Sequence, residues 1–402
     1  MADTAVAQMS EQDEAKPFRT TVEAQALAAA FELAKLSGRE QINAPFKRVT
    51  LIPQPEAGRL LIRSLGEAGL LTTAVEATAV EVEVEGASVT TDLTRLAGIA
   101  ELAPQDGMIS MSEQANRFAV KTPHGRFRLP NLDGTLHIEP QSSPTEGVVT
   151  MECALDRIRD GVRRVKHSVG NDDARYYLNG THIQISSGSI TLTATNGHRL
   201  SQEVIPGPVD SAPAEAIVPK AGIAALSSML SERSANVRIG IGEKFAWFSV
   251  GLENGLPPAT LLTRLIDGRY VETRKLIPRN EPRSVLHGPG AEMRRALDYA
   301  KVFEQAAHKE NHSHTPALAF QVRQGQVEAR FGDQHLPLDL AITPADDEPD
   351  MIAFQYAYFR DVITALGDVE QVSIERFNDD QPYRITSEDV PSFFELIMPV
   401  KI

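Results

Sequence analysis

A pattern that returns three times constrains this chain more than any single motif. Apolar residues at helical spacing occur at Val22, Ala26, Ala29, Leu33 and Leu36. They recur at Leu155, Ile158, Val162 and Val165, then at Met293, Ala296, Leu297, Ala300, Phe303 and Ala307. Each run is followed by strand-like segments and then by a second helical stretch: Leu93 to Ala100 behind an N-cap at Asp92, Ile223 to Leu230, and Phe359 to Leu366. First helices therefore start near residues 21, 153 and 290, and second helices near 92, 220 and 355. The spacing is roughly 130 residues between units and roughly 65–70 within them, which marks an internal triplication carried by pattern rather than by residue identity. Such a unit predicts α+β architecture, with two helices packed on one face of antiparallel sheet.

In the first pass the strands are expected at Arg48–Ile52, Arg59–Ser64, Leu70–Glu85, Met108–Ser112 and Arg117–Leu129, before a turn or linker at Pro130–Gly134. Strands at Val237–Ile241 and Phe245–Val250 close the second pass. A length of 402 residues allows two to four domains of about 100–200 residues each. The first 16 residues are polar and acidic, without the basic start and apolar centre of a signal peptide, and predict a disordered tail over 1–18.

The single cysteine, Cys153, excludes an internal disulfide framework and suits a reducing cytoplasm. No apolar run approaches the ~18 residues that a membrane-spanning helix needs. The net charge of −14 argues, as a total, against nucleic acid. Totals decide little if positive residues gather on one surface, so the question is where they sit. Arg159, Arg163 and Lys166 lie at i, i+4 and i+7 of one helix, with Arg157 and Arg164 in a second row. Arg294 and Lys301 share a row on another helix, beside Arg295. These rows are either solvated helix faces or a lining for phosphates.

Arg175 to Leu200 is the richest stretch. It predicts two short strands joined through Ser186–Ser189, with Tyr177, Leu178 and Leu200 beside Arg175, His198 and Arg199. An apolar floor with a charged rim suits capture of a peptide, and a plain hairpin edge with core tyrosine and leucines is the other reading of the same residues. No Walker loop, dinucleotide fingerprint or Gly-x-Ser-x-Gly elbow occurs. Cys153 reads as a buried thiol. His308, His312 and His314 lack cysteine or carboxylate support, so a polar loop is expected there, with no metal and no cofactor.

Several separated pieces, in order, resemble the bacterial DNA polymerase III β subunit family, the replicative sliding clamps. They are Arg175 to Gly180; Thr195 and Gly197 to Leu200; Asp267-Gly268-Arg269-Tyr270 with Arg274 and Pro278; and Met398 to Ile402. The resemblance covers roughly residues 19 to 402. It implies three clamp domains, at 19–139, 140–273 and 274–402, and a head-to-tail homodimeric ring around duplex DNA. The implied role is cytoplasmic and non-catalytic: a processivity factor that tethers the DNA polymerase III catalytic subunit and other clamp-binding proteins, loaded by a separate clamp loader.

The resemblance also assigns residues. A partner-peptide groove would be built from Arg175, Tyr177 and Leu178; from Thr195, Gly197, His198, Arg199 and Leu200; from Val271, Lys275 and Leu276; and from Ile397, Met398, Pro399, Val400 and Lys401. In it, Arg175 and Arg199 would pair with polar or acidic groups at the rim. DNA contact is implied for Arg39, which also reads as a C-terminal helix charge, for Tyr176 in the Asn171–Tyr176 loop, and for Arg159, Arg163, Lys166, Arg294 and Lys301. The dimer seam would set Phe118 and Val120 against Val302 and Phe303. Val271 and Thr273 depart from the family's Pro and Tyr, and Lys275 and Lys401 replace Arg, losing bidentate geometry. Asp172 places an acid where phosphate contact is implied. These departures, with the acidic tail, leave open an accessory or diverged clamp. Asp172 and the weakly marked seam also leave open a monomeric docking or regulatory protein that keeps the groove without closing a ring. A third alternative, an enzyme with a pocket at His198, lacks a base–nucleophile partner in the sequence.

Overall fold

The structure, a computed structural model, describes residues 18–38, 47–83, 86–114, 117–132, 149–172, 174–207, 212–230, 234–252, 258–309, 317–323, 326–343, 351–378 and 380–400. The elements repeat one short theme: a strand, a helix, then three strands. The first pass states it twice, as β1 (Phe18–Glu23), α1 (Ala24–Lys35), β2 (Arg48–Gln54), β3 (Arg59–Gly66) and β4 (Gly69–Val82), then β5 (Val89–Asp92), α2 (Leu93–Leu102), β6 (Met108–Gln114), β7 (Arg117–Thr122) and β8 (Gly125–Pro130). The second pass has β9 (Val149–Cys153), α3 (Leu155–Val165), β10 (Gly180–Ser186), β11 (Ser189–Thr195) and β12 (Arg199–Pro206), then β13 (Ala214–Pro219), α4 (Lys220–Met229), β14 (Ser234–Ile241), β15 (Phe245–Leu252) and β16 (Ala259–Arg264). The third has β17 (Ser284–Pro289), α5 (Gly290–Lys309), β18 (Ala317–Arg323), β19 (Gln326–Phe331) and β20 (Gln334–Leu338), an added β21 (Ala341–Thr343), then β22 (Ile352–Gln355), α6 (Tyr356–Leu366), β23 (Gln371–Arg376), β24 (Tyr383–Thr386) and β25 (Phe393–Ile397). All six expected helices are present, and α5 and α4 begin at the expected residues, 290 and 220.

Two details differ from expectation. Phe18, the last residue of the expected tail, instead opens β1 and is fully buried; residues 1–17 lie outside the described ones. The expected strand from Arg117 to Leu129 is a hairpin, because Pro123 and His124 turn the chain between β7 and β8.

Contact density divides the chain into two compact units. The first takes the described residues within 1–155 and 224–264. Its antiparallel sheet runs β8-β7-β6-β1-β4-β16-β15-β14-β9, with β3, β2 and β5 branching from β4. Leu27 and Phe31 of α1 and Leu93, Leu96 and Ala97 of α2 pack with Phe18, Val49, Ile62, Phe118 and Val120 into one core. Asp92 caps α2, its Oδ1 accepting the amides of Thr94 at 2.9 Å and Arg95 at 3.1 Å. Leu70–Thr72 of β4 pair with Thr260–Leu262 of β16. Gly69 makes that approach possible: its φ is +120°, and a Cβ there would stand 2.1 Å from the Leu262 carbonyl.

The second unit takes the described residues within 156–223 and 265–402. One sheet runs β13-β10-β11-β12-β25-β24-β23-β17-β21, and a second runs β20-β19-β18-β22. Met293 and Leu297 of α5 and Phe359, Val362 and Leu366 of α6 share a core with Phe320, Phe354 and Ile374. β12 joins β25 through five paired positions, Arg199↔Ile397 to Glu203↔Phe393. The two compact units therefore cut across the expected boundary at 273/274; the boundary at 139/140 lies outside the described residues. Sheet hydrogen bonding is the reason, since β4–β16 and β12–β25 each join strands from different passes.

Candidate partner-binding groove and basic helices

The Thr195–Leu200 segment is a turn between β11 and β12 held by its own side chains. Thr195 Oγ1 donates to the Arg199 carbonyl at 2.6 Å and accepts the Gly197 amide at 3.1 Å. Asn196 Oδ1 accepts the amides of His198 and Arg199 at 3.0 and 3.1 Å. Gly197 sits at φ +88°, and a Cβ there would lie 2.6 Å from a guanidinium nitrogen of Arg175. Glycine is needed both for the left-handed turn and to let Arg175 lie across it.

Arg175 comes from a closed loop. Asn179 ties both ends: its Oδ1 accepts the Asp172 amide at 2.8 Å and its Nδ2 donates to the Asp172 carbonyl at 2.9 Å. Asp172 then accepts the amides of Ala174 and Arg175 at 2.8 and 3.0 Å and the Arg175 Nε at 2.8 Å. The Arg175 amide and guanidinium, with the Ala174 amide, hold the Asp172 carboxyl below the usual aspartate range. Asp172 is thus the loop's organiser and Arg175's counter-ion. Tyr176–Leu178 forms a 3-10 turn rather than a strand end.

Behind this turn, Leu178, Ile217 and Tyr270 form a small cluster, with Tyr177, Ile266 and Val271 packed against it. His182 stacks on Tyr270 with ring centroids 4.8 Å apart. Burial pushes the Tyr270 phenol well up. On the other side, the Met398 amide donates to the His198 carbonyl at 2.9 Å. Of the expected groove residues, Leu178, Leu200 and Ile397 are buried, whereas Leu276 and Met398 are 49% and 39% exposed. The Val400 amide turns to the Ala353 carbonyl of β22 at 3.1 Å. Pro399 is half-buried and Lys401 lies outside the described residues. All groove positions that are described belong to the second unit.

Arg199 does not stand at the rim. It is 8% exposed and donates to Asp361 at 2.8 Å and to the His167 carbonyl, with its guanidinium 4.4 Å from the Tyr358 ring centroid. Burial alone would raise the Asp361 carboxyl, but hydrogen bonds from Arg199 and Arg360 outweigh it and hold the group below the usual range. Arg199 is a strut between β12 and α6. Asp361, Tyr358 and His167 were missed in the sequence because Asp361 and Arg199 stand 162 residues apart.

Beneath the β12–β25 pairing, His167 Nε2 meets Glu395 Oε2 at 2.7 Å and Ser201 Oγ at 3.3 Å. The group is no triad, since serine and acid meet the same ring nitrogen and both are fully buried. His198 is exposed and serves the turn through its backbone.

The basic helices present less free charge than the sequence implied. Arg159 pairs with Asp156 at 2.7 Å. Arg163 donates to the Ala365 carbonyl at 3.1 Å, and Arg294 to the Gly367 carbonyl at 2.8 Å, so both cap the C-terminus of α6. Arg164 turns inward to Glu203 at 3.0 Å. Lys166, Lys301 and Tyr176 are exposed. A cleft of about 600 Å³ between α5 and α6 is lined by Arg294, Lys301 and Arg360 together with Asp298 and Asp368. Arg39, His312 and His314 lie outside the described residues, as does the side chain of His308.

The seam assignment needs correction. Phe118 and Val120 are 0% and 1% exposed because β7 turns them onto α1 and α2, into the unit's own core. Phe127, two residues into the outer strand β8, is 40% exposed instead. Val302 is 63% exposed, and Phe303 packs half-buried against Tyr299, ring centroids 5.1 Å apart.

Comparison with known proteins agrees with this architecture. Residues 153–272 match the family model described as the DNA polymerase III beta subunit, central domain. The fold is that of a β sliding clamp. A Pseudomonas aeruginosa DNA polymerase sliding clamp of known structure superposes with a TM-score of 0.81 over 96% of this chain and 100% of that one, at 20% identity. The beta sliding clamp of Vibrio cholerae is 23% identical over 87% of this chain and 93% of its own length. That of Pseudomonas aeruginosa is 23% identical over 79% and 83%. The chain resembles the DNA polymerase III β subunits well beyond the central domain.

Proposed function

We propose that this chain is a sliding clamp. Two copies would close head to tail around duplex DNA, and each would tether the DNA polymerase III catalytic subunit, the clamp loader and other partners through the groove. The three passes would act as three domains, 19–139, 140–273 and 274–402, and the protein would have no catalytic step of its own. One observation carries the reading: on a clamp fold, four sequence-distant segments converge around Arg175, Gly197, Val271 and Met398. Exposed Lys166 and Lys301 support sequence-neutral phosphate contact, which permits sliding because it reads no bases. No helix among the described residues is long and apolar enough to cross a membrane.

For closure, β8 and β20 are outer strands of their sheets, and such edges pair readily with another copy. Light scattering across a concentration series tests the ring. A mass near twice 43.9 kDa supports it. A persistent monomer would leave the fold intact and favour the second reading, a docking protein, which the burial of Phe118 and Val120 motivates.

A further inference from the structure

We infer that the groove selects uncharged apolar peptides over acidic ones, and that Asp172 and Glu272 set this preference. The inference rests on the groove reading above. Arg175, Lys275 and Arg199, the arginines and the lysine among the described groove positions, are each committed to a carboxylate of this chain. Arg175 places Nε and a terminal nitrogen on Asp172 Oδ2, both at 2.8 Å. Lys275 bonds Glu272, which also takes Arg269 at 3.2 Å. Arg199 is turned inward to Asp361 at 2.8 Å.

Asp172 cannot swing away to make room, because its other oxygen holds the amides of Ala174 and Arg175. A peptide carboxylate reaching Arg175 or Lys275 would therefore meet a second carboxylate at contact distance. Such like-charge placement acts as a filter against the wrong partner. The chain's net charge of −14 adds a long-range repulsion of the same sign. What the assigned groove residues do offer is exposed apolar surface at Leu276 and Met398. Attraction from that surface depends little on salt.

The test uses two fluorescein-labelled pentapeptides that are apolar except at the central position, which is Asn in one and Asp in its twin. Anisotropy is read at about 50 and about 500 mM NaCl, which spans weak to strong screening. The wild type should bind the Asn peptide about threefold to tenfold tighter at low salt, with the Asn peptide's affinity nearly flat in salt. Asp172→Asn keeps the oxygen that holds the two amides and removes the charge; Glu272→Gln removes the charge that faces Lys275 and Arg269 on the other segment. Each should close or reverse the gap, and Arg274→Ala, an exposed arginine of the same turn outside these pairs, should not. An acidic twin that binds the wild type better, or a gap unmoved by both variants, overturns the inference. Failure of both peptides to bind any of the proteins would instead sink the groove reading.

Discussion

Gly197 turns the chain where any side chain would meet Arg175 at 2.6 Å, so Gly197→Ala strains both the φ of +88° and the loop across it. We expect a loss of about 1–2 kcal/mol in urea unfolding and weaker peptide binding. Arg199 makes a different case. Arg199→Met leaves the half-buried Asp361 with Arg360 alone, and should cost about 2–4 kcal/mol at neutral pH. The sign with pH follows from the depressed Asp361 carboxyl. Its contribution is present above the ordinary aspartate value of 3.8 and is lost as the pH falls below it, through the lower folded value. Wild type should therefore lose more stability between about pH 5 and about pH 2 than Arg199→Met does; equal losses would remove the strut from the account. At this scale the sequence was half legible. Gly197 and the Asp172–Arg175 spacing could be read locally, whereas the inward turn of Arg199 depended on Asp361 162 residues on.

Helix α6 gathers more of the site than its own sequence announces. Arg163 from α3 and Arg294 from α5 both donate to its last carbonyls. Arg294→Ala should therefore lower the melting temperature and also weaken DNA binding, whereas Lys301→Ala should weaken DNA binding alone. The DNA readout is the slope of log affinity against log salt, expected to fall by about one per lost phosphate contact. A thermal shift in Lys301→Ala, or none in Arg294→Ala, would contradict the capping geometry. Helices were the most readable elements because apolar spacing near 3.6 residues fixes their buried face, as at Phe359, Val362 and Leu366. The hairpin at β7–β8 was less so, since Pro123 and His124 interrupt an alternation that otherwise reads as one strand. A stripe of arginines reveals helical spacing but not which guanidinium the helix next door will take.

Across the whole molecule, the triplicated theme was legible from periodicity, but the surfaces that join copies were not. Alternation along Arg117–Thr122 says that Phe118 and Val120 share a face, and only packing tells that this face is inward. Phe118→Ala should therefore cost about 3–5 kcal/mol of stability without altering the association of whatever remains folded. Phe127→Asp on the outer strand should do the reverse, giving a stable protein of half the mass in sedimentation. If Phe127→Asp still sediments as a dimer, β8 is not the seam.

The close approach of Gly69 to Leu262 also governs how the protein can be cut into pieces in the laboratory. Severing the chain near residue 139 would follow the apparent repeat, yet it would part β16 from Leu70–Thr72 of β4. A fragment beginning there would carry a bare, apolar strand edge into solution, and such edges recruit one another into insoluble aggregates. Soluble single repeats would thus require polar redesign of Thr260–Leu262, not merely a well-chosen pair of primers.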